Sequence, residues 1–207
     1  RAAAPINQRL ADIQGRIESI EQLEALYRAP GELAVKKVVD SLDREMQVFV
    51  DRCPFVVLAT SDGRGSVDAS PRGGPPGFVL RLDDRHVAIP DLNGNNRLDS
   101  LRNVIVHPWA GLLMILPGKE ETLRINGPAM LTTDAHVLAR FTNELRTPKA
   151  ALVIETAEVY GHCAKAFRRG AVWKPDAWRD DAPDLAALYS CAWNIEENEL
   201  RGAIEAS

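Results

Sequence analysis

At 207 residues and 45% apolar, with a formal net charge of −4, the chain is long enough to bury one core. That balance excludes a surface built mainly for nucleic acid or an anionic membrane, and no apolar run reaches membrane-spanning length. Cys53, Cys163 and Cys191 are odd in number with no CxxC, and Arg1-Ala2-Ala3-Ala4-Pro5 lacks a charged-then-apolar signal pattern, so free thiols in a cytoplasmic protein are the expectation.

Residues 1–52 read as a helical lead-in. Ser19 and Gln22 have capping-box spacing ahead of Leu23, Leu26 and Tyr27, and Pro30-Gly31 ends that helix. Val35, Val38, Val39, Leu42, Met46, Phe49 and Val50 then repeat at helical spacing, which predicts one longer helix stopped by Pro54. Beyond it the period changes to that of strands. Residues 55–60 read as a buried strand, 61–65 as a turn and 66–70 as a half-exposed strand. Residues 78–82 and 86–89 pair across Asp83-Asp84, and 110–116 and 122–127 flank the turn Pro117-Gly118-Lys119, with 129–132 extending the second of these.

Between strands, residues 95–101 open an amphipathic helix whose apolar side carries Leu98, Leu101 and Ile105. Thr133-Asp134 caps a further helix running towards Leu145, residues 151–156 form a last core strand, and a helix starts near Ile195. Six or seven strands joined by tight turns, with one helix inserted, predict a small antiparallel barrel with flanking helices, since closure removes sticky edges. A parallel doubly wound sheet needs crossover helices that this chain lacks. The domain reading is 1–52 lead-in, 53–167 barrel, and 168–207 a tail packed on the barrel or on a partner subunit.

Three segments carry chemistry. The run Asp68-Ala69-Ser70-Pro71-Arg72-Gly73-Gly74 delivers one guanidinium to a strand end beside an open backbone; the plain alternative is a stiff hairpin loop with an exposed Arg. Asn95-Asn96-Arg97 sits where free N–H groups at a helix start favour an anion and Arg97 adds a donor fork. Its alternative is an ordinary helix, capped by Asn96 with Asp99 closing the box. Arg72 and Arg97 together can clamp a phosphate dianion. In the third segment, His162 and Lys165 have the spacing of one helical face and can present two polarising groups to a ring or substrate; a satisfied histidine and a solvated lysine are the alternative. Adjacent His162 and Cys163 suit neither a metal nor a nucleophile pair, so no metal is expected.

In order and spacing, several segments resemble the pyridoxamine 5′-phosphate oxidase-like, FMN-binding split-barrel superfamily, and within it a group of FMN-dependent proteins. They are Pro54-Phe55, Leu58-Ala59-Thr60-Ser61, residues 68–73, Ile89-Pro90-Asp91, residues 94–97, residues 123–127 and residues 162–166. The resemblance implies a mainly β fold with flanking helices, a six-stranded antiparallel split β-barrel. It implies a homodimer holding two FMN molecules in clefts between subunits. It puts Arg72, Asn95, Asn96 and Arg97 at the FMN phosphate, Pro90 and Asp91 at backbone contacts to the flavin, and Thr122 against the ring. The C-terminal signature for a vitamin B6 substrate is absent from the sequence, which leaves an FMN-dependent oxidoreductase of a small substrate, with His162 and Lys165 as its catalytic candidates. The rival expectations are a non-catalytic flavin carrier or sensor, and a split barrel using haem or F420 in place of FMN.

Overall fold

A computed structural model describes residues 13–92, 97–141, 147–179 and 181–205. Ser19 caps the first helix, α1 (Ile20–Glu24), by accepting from the Gln22 N–H at 3.2 Å, while Gln22 Oε1 accepts from the Glu18 N–H at 2.8 Å. The expected long helix is broken in two. α2 (Glu32–Lys36) ends before Val39, which leaves the helical path to form a bridge with Val159; the Val39 N–H meets the Val159 carbonyl at 3.0 Å and the reciprocal bond is 2.6 Å. A new helix, α3 (Arg44–Arg52), starts where Asp43 accepts from the Met46 N–H at 2.9 Å. The apolar period survives the break because Leu42 and Val50 are both buried in the same core.

The strands are β1 (Phe55–Ser61), β2 (Val67–Gly73), β3 (Leu80–Arg81), β4 (His86–Pro90), β5 (Trp109–Ile115), β6 (Thr122–Thr132), β7 (Ala151–Glu155) and β8 (Glu158–His162). Every pairing is antiparallel, in the order β2-β1-β5-β6-β7-β4-β3, with β8 also on β6. The sheet therefore has eight strands where six are expected, and it is not closed: β2 and β3 end the path. β6 is the hinge of the arrangement. Residues 122–126 lie between β5 and β8, and beyond the Gly127-Pro128 bend residues 129–132 pair with β7. Gly127 is obligatory there, since a Cβ would lie 1.8 Å from the Glu155 carbonyl oxygen. The core fills the space between the two halves with Val56, Leu58, Met114, Ile125, Ile154 and Val159.

A helix, α4 (Asp99–Val106), packs against β1, β2 and β6. Its cap residue is Leu98, in the left-handed region at φ 60° with no side-chain cap bond, and the expected Asn95 and Asn96 lie outside the described residues. Its buried side is Ser100 and Val104 with Leu101, whereas Leu98 and Ile105 face solvent. The buried side thus centres on Ser100 and Val104 rather than on Leu98 and Ile105.

The helix after Asp134, α5 (Ala135–Leu138), is short; residues 142–146, towards which it was expected to run, lie outside the described residues. The strand expected at 151–156 is β7, but it is not the last: the chain turns at Thr156, buried with its hydroxyl on the Asp40 carbonyl at 2.5 Å, and continues as β8. The tail adds α6 (Lys165–Arg169), α7 (Leu185–Trp193) and α8 (Glu197–Glu205), and is tied to the 117–121 turn by Trp173 Nε1 donating to the Lys119 carbonyl at 2.6 Å. Among the described residues no helix is long and apolar enough to cross a membrane.

Candidate functional site

Strand alternation makes the first part of the site. Along β2 every second residue is half-buried, so Asp68, Ser70 and Arg72 point to one side while Val67, Ala69 and Pro71 point to the other. The first turn of α4 lies on the Asp68 side. There the Ser100 hydroxyl accepts from Arg72 Nη2 at 3.3 Å and donates to Asp68 Oδ2 at 2.5 Å. Ser100 is 2% exposed, so this bridge is fixed by packing as well as by hydrogen bonds. Arg97 enters from the start of α4, and its Nε donates to Asp99 Oδ2 at 2.7 Å; the Asp99 carboxylate holds the guanidinium pKa above its ordinary value. Asp91 enters from the end of β4, fixed by its N–H on the Ala150 carbonyl at 2.9 Å, while Pro90 is buried opposite Ala151.

Of these, Asp68, Arg72, Asp91, Arg97, Asp99 and Ser100, but not Pro90, line one cleft of about 530 Å³, which also takes in Tyr189 of α7. That volume lies within the usual range of small-molecule sites. Arg72 and Arg97, paired on sequence grounds, thus share a cleft, together with Asp91, which only the resemblance named. The cleft carries two arginines against three aspartates, Asp68, Asp91 and Asp99. Two of those carboxylates are engaged with the cleft's own donors, Asp68 with Ser100 and Asp99 with Arg97. Asp68 and Ser100 are functional neighbours that motif reading misses, although alternation along β2 is the signal that would place Asp68 beside Arg72.

Thr122, His162 and Lys165 lie elsewhere. Thr122 and His162 are register partners on β6 and β8. Their row of the sheet runs through Ile115 and Phe55 to Gly73, one residue out of phase with the row that holds Arg72. β6 is three strands from β2, roughly 14 Å at ordinary strand spacing, and adjacent rows point to opposite faces. His162 and Lys165 do not share a helical face: His162 ends β8 and Lys165 begins α6.

The cations beside His162 are instead Arg124 and Lys37. Arg124 Nη1 donates to the Tyr160 hydroxyl at 2.9 Å, and Lys37 Nζ sits 5.0 Å over the Tyr160 ring while donating to the Gly161 carbonyl at 3.0 Å. Burial first, then the charges of Arg124 and Lys37, push the His162 pKa down, so the ring is neutral at pH 7. Its Nδ1 is buried with no hydrogen-bond partner among the described residues.

A sequence profile described as pyridoxamine 5′-phosphate oxidase matches residues 42–163, which spans α3, all eight strands and the whole Arg72–Ser100 cluster. The chain belongs to this family. No curated protein matches the chain. Among solved structures it is similar to HupZ of Group A Streptococcus, at 15% identity and a TM-score of 0.48, covering 57% of this chain and 92% of that one. General stress protein 26 of Bacillus anthracis is similar at 13% identity and a TM-score of 0.42, covering 56% and 88%. HutZ of Vibrio cholerae, described as a heme storage protein, is similar at 17% identity and a TM-score of 0.40, covering 58% and 93%. For the pyridoxamine 5′-phosphate oxidase family member described here, Tyr189 and the rest of α7 lie outside the matched region.

Proposed function

We propose that the protein is an FMN-dependent oxidoreductase acting on a small substrate, and that it works as a homodimer. The observation that carries this reading is the convergence of Arg72 and Arg97 on one cleft, beside Ser100 and the first turn of α4, in a chain of this family. The donor set fits a phosphate monoester: two guanidinium forks, with free backbone N–H groups at a helix start. Arg97 is 73% exposed at its side chain, so exchanging the Asp99 carboxylate for a phosphate uncovers no buried charge.

FMN, when bound, supplies hydride exchange with the substrate. Arg72 and Arg97 would hold its phosphate, and the Ser100–Asp68 bridge fixes the direction of the Arg72 fork. On the opposite face, Arg124 and Lys37 provide positive charge beside Thr122 and His162, and His162, neutral at pH 7, can accept a proton there and become the imidazolium.

Two features support pairing of protomers. The outer face of β1, β2 and β5 exposes Phe55, Val67 and Trp109, and a shallow cleft of about 600 Å³ lies there between Val67, Trp109 and Asn126. Helices α1 and α2 are also open to a neighbour, with no buried residue in either.

The absorption spectrum of the freshly purified protein tests the cofactor directly. Flavin bands, and FMN binding that weakens in Arg72→Ala and in Arg97→Ala, are expected; haem or deazaflavin bands, or no binding of FMN, would overturn the reading. Reduction of the bound flavin by NADH or NADPH separates an enzyme from a carrier. Sedimentation at micromolar concentration reads the dimer.

A further inference from the structure

Tyr189 lies outside the family-matched region, yet it forms a wall of the same cleft as Arg72 and Arg97. Its ring is held in place by stacking on Trp193 one helical turn later, with centroids 4.4 Å apart and an interplanar angle of 10°. The helix that carries it is fixed at its start, where Asp184 accepts from the Ala187 N–H at 3.0 Å. Arg201 of α8 bonds the same Asp184, which ties α7 to α8, and is itself held by Glu197 of its own helix at 2.8 Å. The tail's root is in turn docked on the 117–121 turn, with Arg168 Nε on Glu120 Oε2 at 2.5 Å beside the Trp173 bond to Lys119. The phenol lines the cleft with Arg72 and Arg97 and is 38% exposed, and its hydroxyl donates to no acceptor among the described residues.

An oriented ring, a hydroxyl with its proton uncommitted, and two guanidiniums lining the same cleft form a three-sided donor set. The geometry points to Tyr189 as a third phosphate-binding residue, supplied by the C-terminal tail, which donates its hydroxyl proton to a phosphate monoester held by Arg72 and Arg97. This rests on the cofactor reading above for its ligand, but not for its geometry. The chemistry has a direct consequence. A phenol hydroxyl on a phosphate oxygen is a charge-assisted bond, worth about a factor of ten or more in affinity. It discriminates between FMN and riboflavin, which share the ring system and differ in the phosphate.

The test is titration of the flavin-free full chain with FMN and with riboflavin, followed by flavin fluorescence, for the unmodified protein, Tyr189→Phe and Arg72→Ala. Tyr189→Phe keeps the ring and its stack on Trp193, so folding is preserved. The expected result is FMN binding weakened about tenfold by Tyr189→Phe, with riboflavin binding unchanged. FMN affinity unchanged in Tyr189→Phe while Arg72→Ala weakens it overturns the role of Tyr189 and leaves the cofactor reading standing. Equal weakening of FMN and riboflavin overturns it as well, since that is the signature of a wall residue rather than a phosphate donor. An unmodified protein that binds no FMN overturns both.

Discussion

Ser100 and Asp68 share a 2.5 Å hydrogen bond across the junction of α4 and the edge strand β2, and the same Ser100 hydroxyl accepts from Arg72 at 3.3 Å. Replacing Ser100 by Ala removes the donor to Asp68 and the acceptor for Arg72 together. A part-buried carboxylate left without its donor costs about 1–3 kcal/mol of stability. Loss of the Arg72 orienting contact is expected to weaken FMN binding several-fold while the chain stays folded. Denaturant midpoints and flavin titrations on Ser100→Ala read the two effects separately, and an unchanged FMN affinity would show that Arg72 does not use this bridge.

Asp99 competes with any anion for Arg97, since the two are joined at 2.7 Å. The pair is exposed, so its worth is that of a surface ion pair, about 0.2–1 kcal/mol. Asp99→Asn is therefore expected to tighten binding of a phosphate-bearing flavin by about twofold to fivefold. The gain should shrink at high salt. Affinity measured at two ionic strengths checks both the sign and the cause.

His162 gives a pH prediction. Its pKa lies below the ordinary 6.5, because of burial first and the Arg124 and Lys37 charges second. Between the folded pKa and 6.5 the unfolded chain binds more protons than the folded one. Its contribution is fully present above about pH 6.5 and is lost as pH falls through the folded pKa. Thermal melts across that window should show a fall in Tm with acidification that is smaller in His162→Gln. Removing one of the two charges, in Arg124→Met, should raise the His162 titration midpoint seen by NMR. A midpoint at or above 6.5 in the unmodified protein would contradict the arrangement.

Gly127 marks the point where β6 passes from one half of the sheet to the other. A side chain there would meet the Glu155 carbonyl oxygen at 1.8 Å and the Ala157 nitrogen at 3.0 Å, both backbone atoms that cannot step aside. Gly127→Ala is expected to destabilise the fold by about 3 kcal/mol or more, at the upper end for an overpacked site. Chemical denaturation measures it. By contrast, Gly118→Ala, in an open turn at φ 78°, is expected to cost less, since its strain is local and nothing lies within 4 Å.

Much of this was legible from residue order. The period-2 pattern around Val56, Leu58, Met114 and Ile125 marks strands with one buried face, and antiparallel pairing follows from the short turns between them. Arg72 at a strand end and Arg97 at a helix start were recognisable as a pair, and they do share a cleft. These features depend on near neighbours along the chain, so a window of a few residues contains the cause.

The tertiary structure decided the rest. Val39 is as good a helix residue as its neighbours by spacing, but Val159 offers it a bridge from far along the chain, and the helix yields. Residues 151–162 became two strands rather than one strand and a helix start, because Gly127 lets β6 bend and take a partner on either side of the turn. That same turn placed His162 on β8, off the helix that Lys165 begins, and set it beside Arg124 and Lys37. Tyr189 has no local signature at all: it becomes a cleft residue only because a tail anchored at Lys119 and Glu120 lays α7 beside Arg97. Local periodicity fixes which side of a segment is apolar. Which distant segment meets that side is settled by burial and pairing summed over the whole chain, and the charges that share a site follow from that sum.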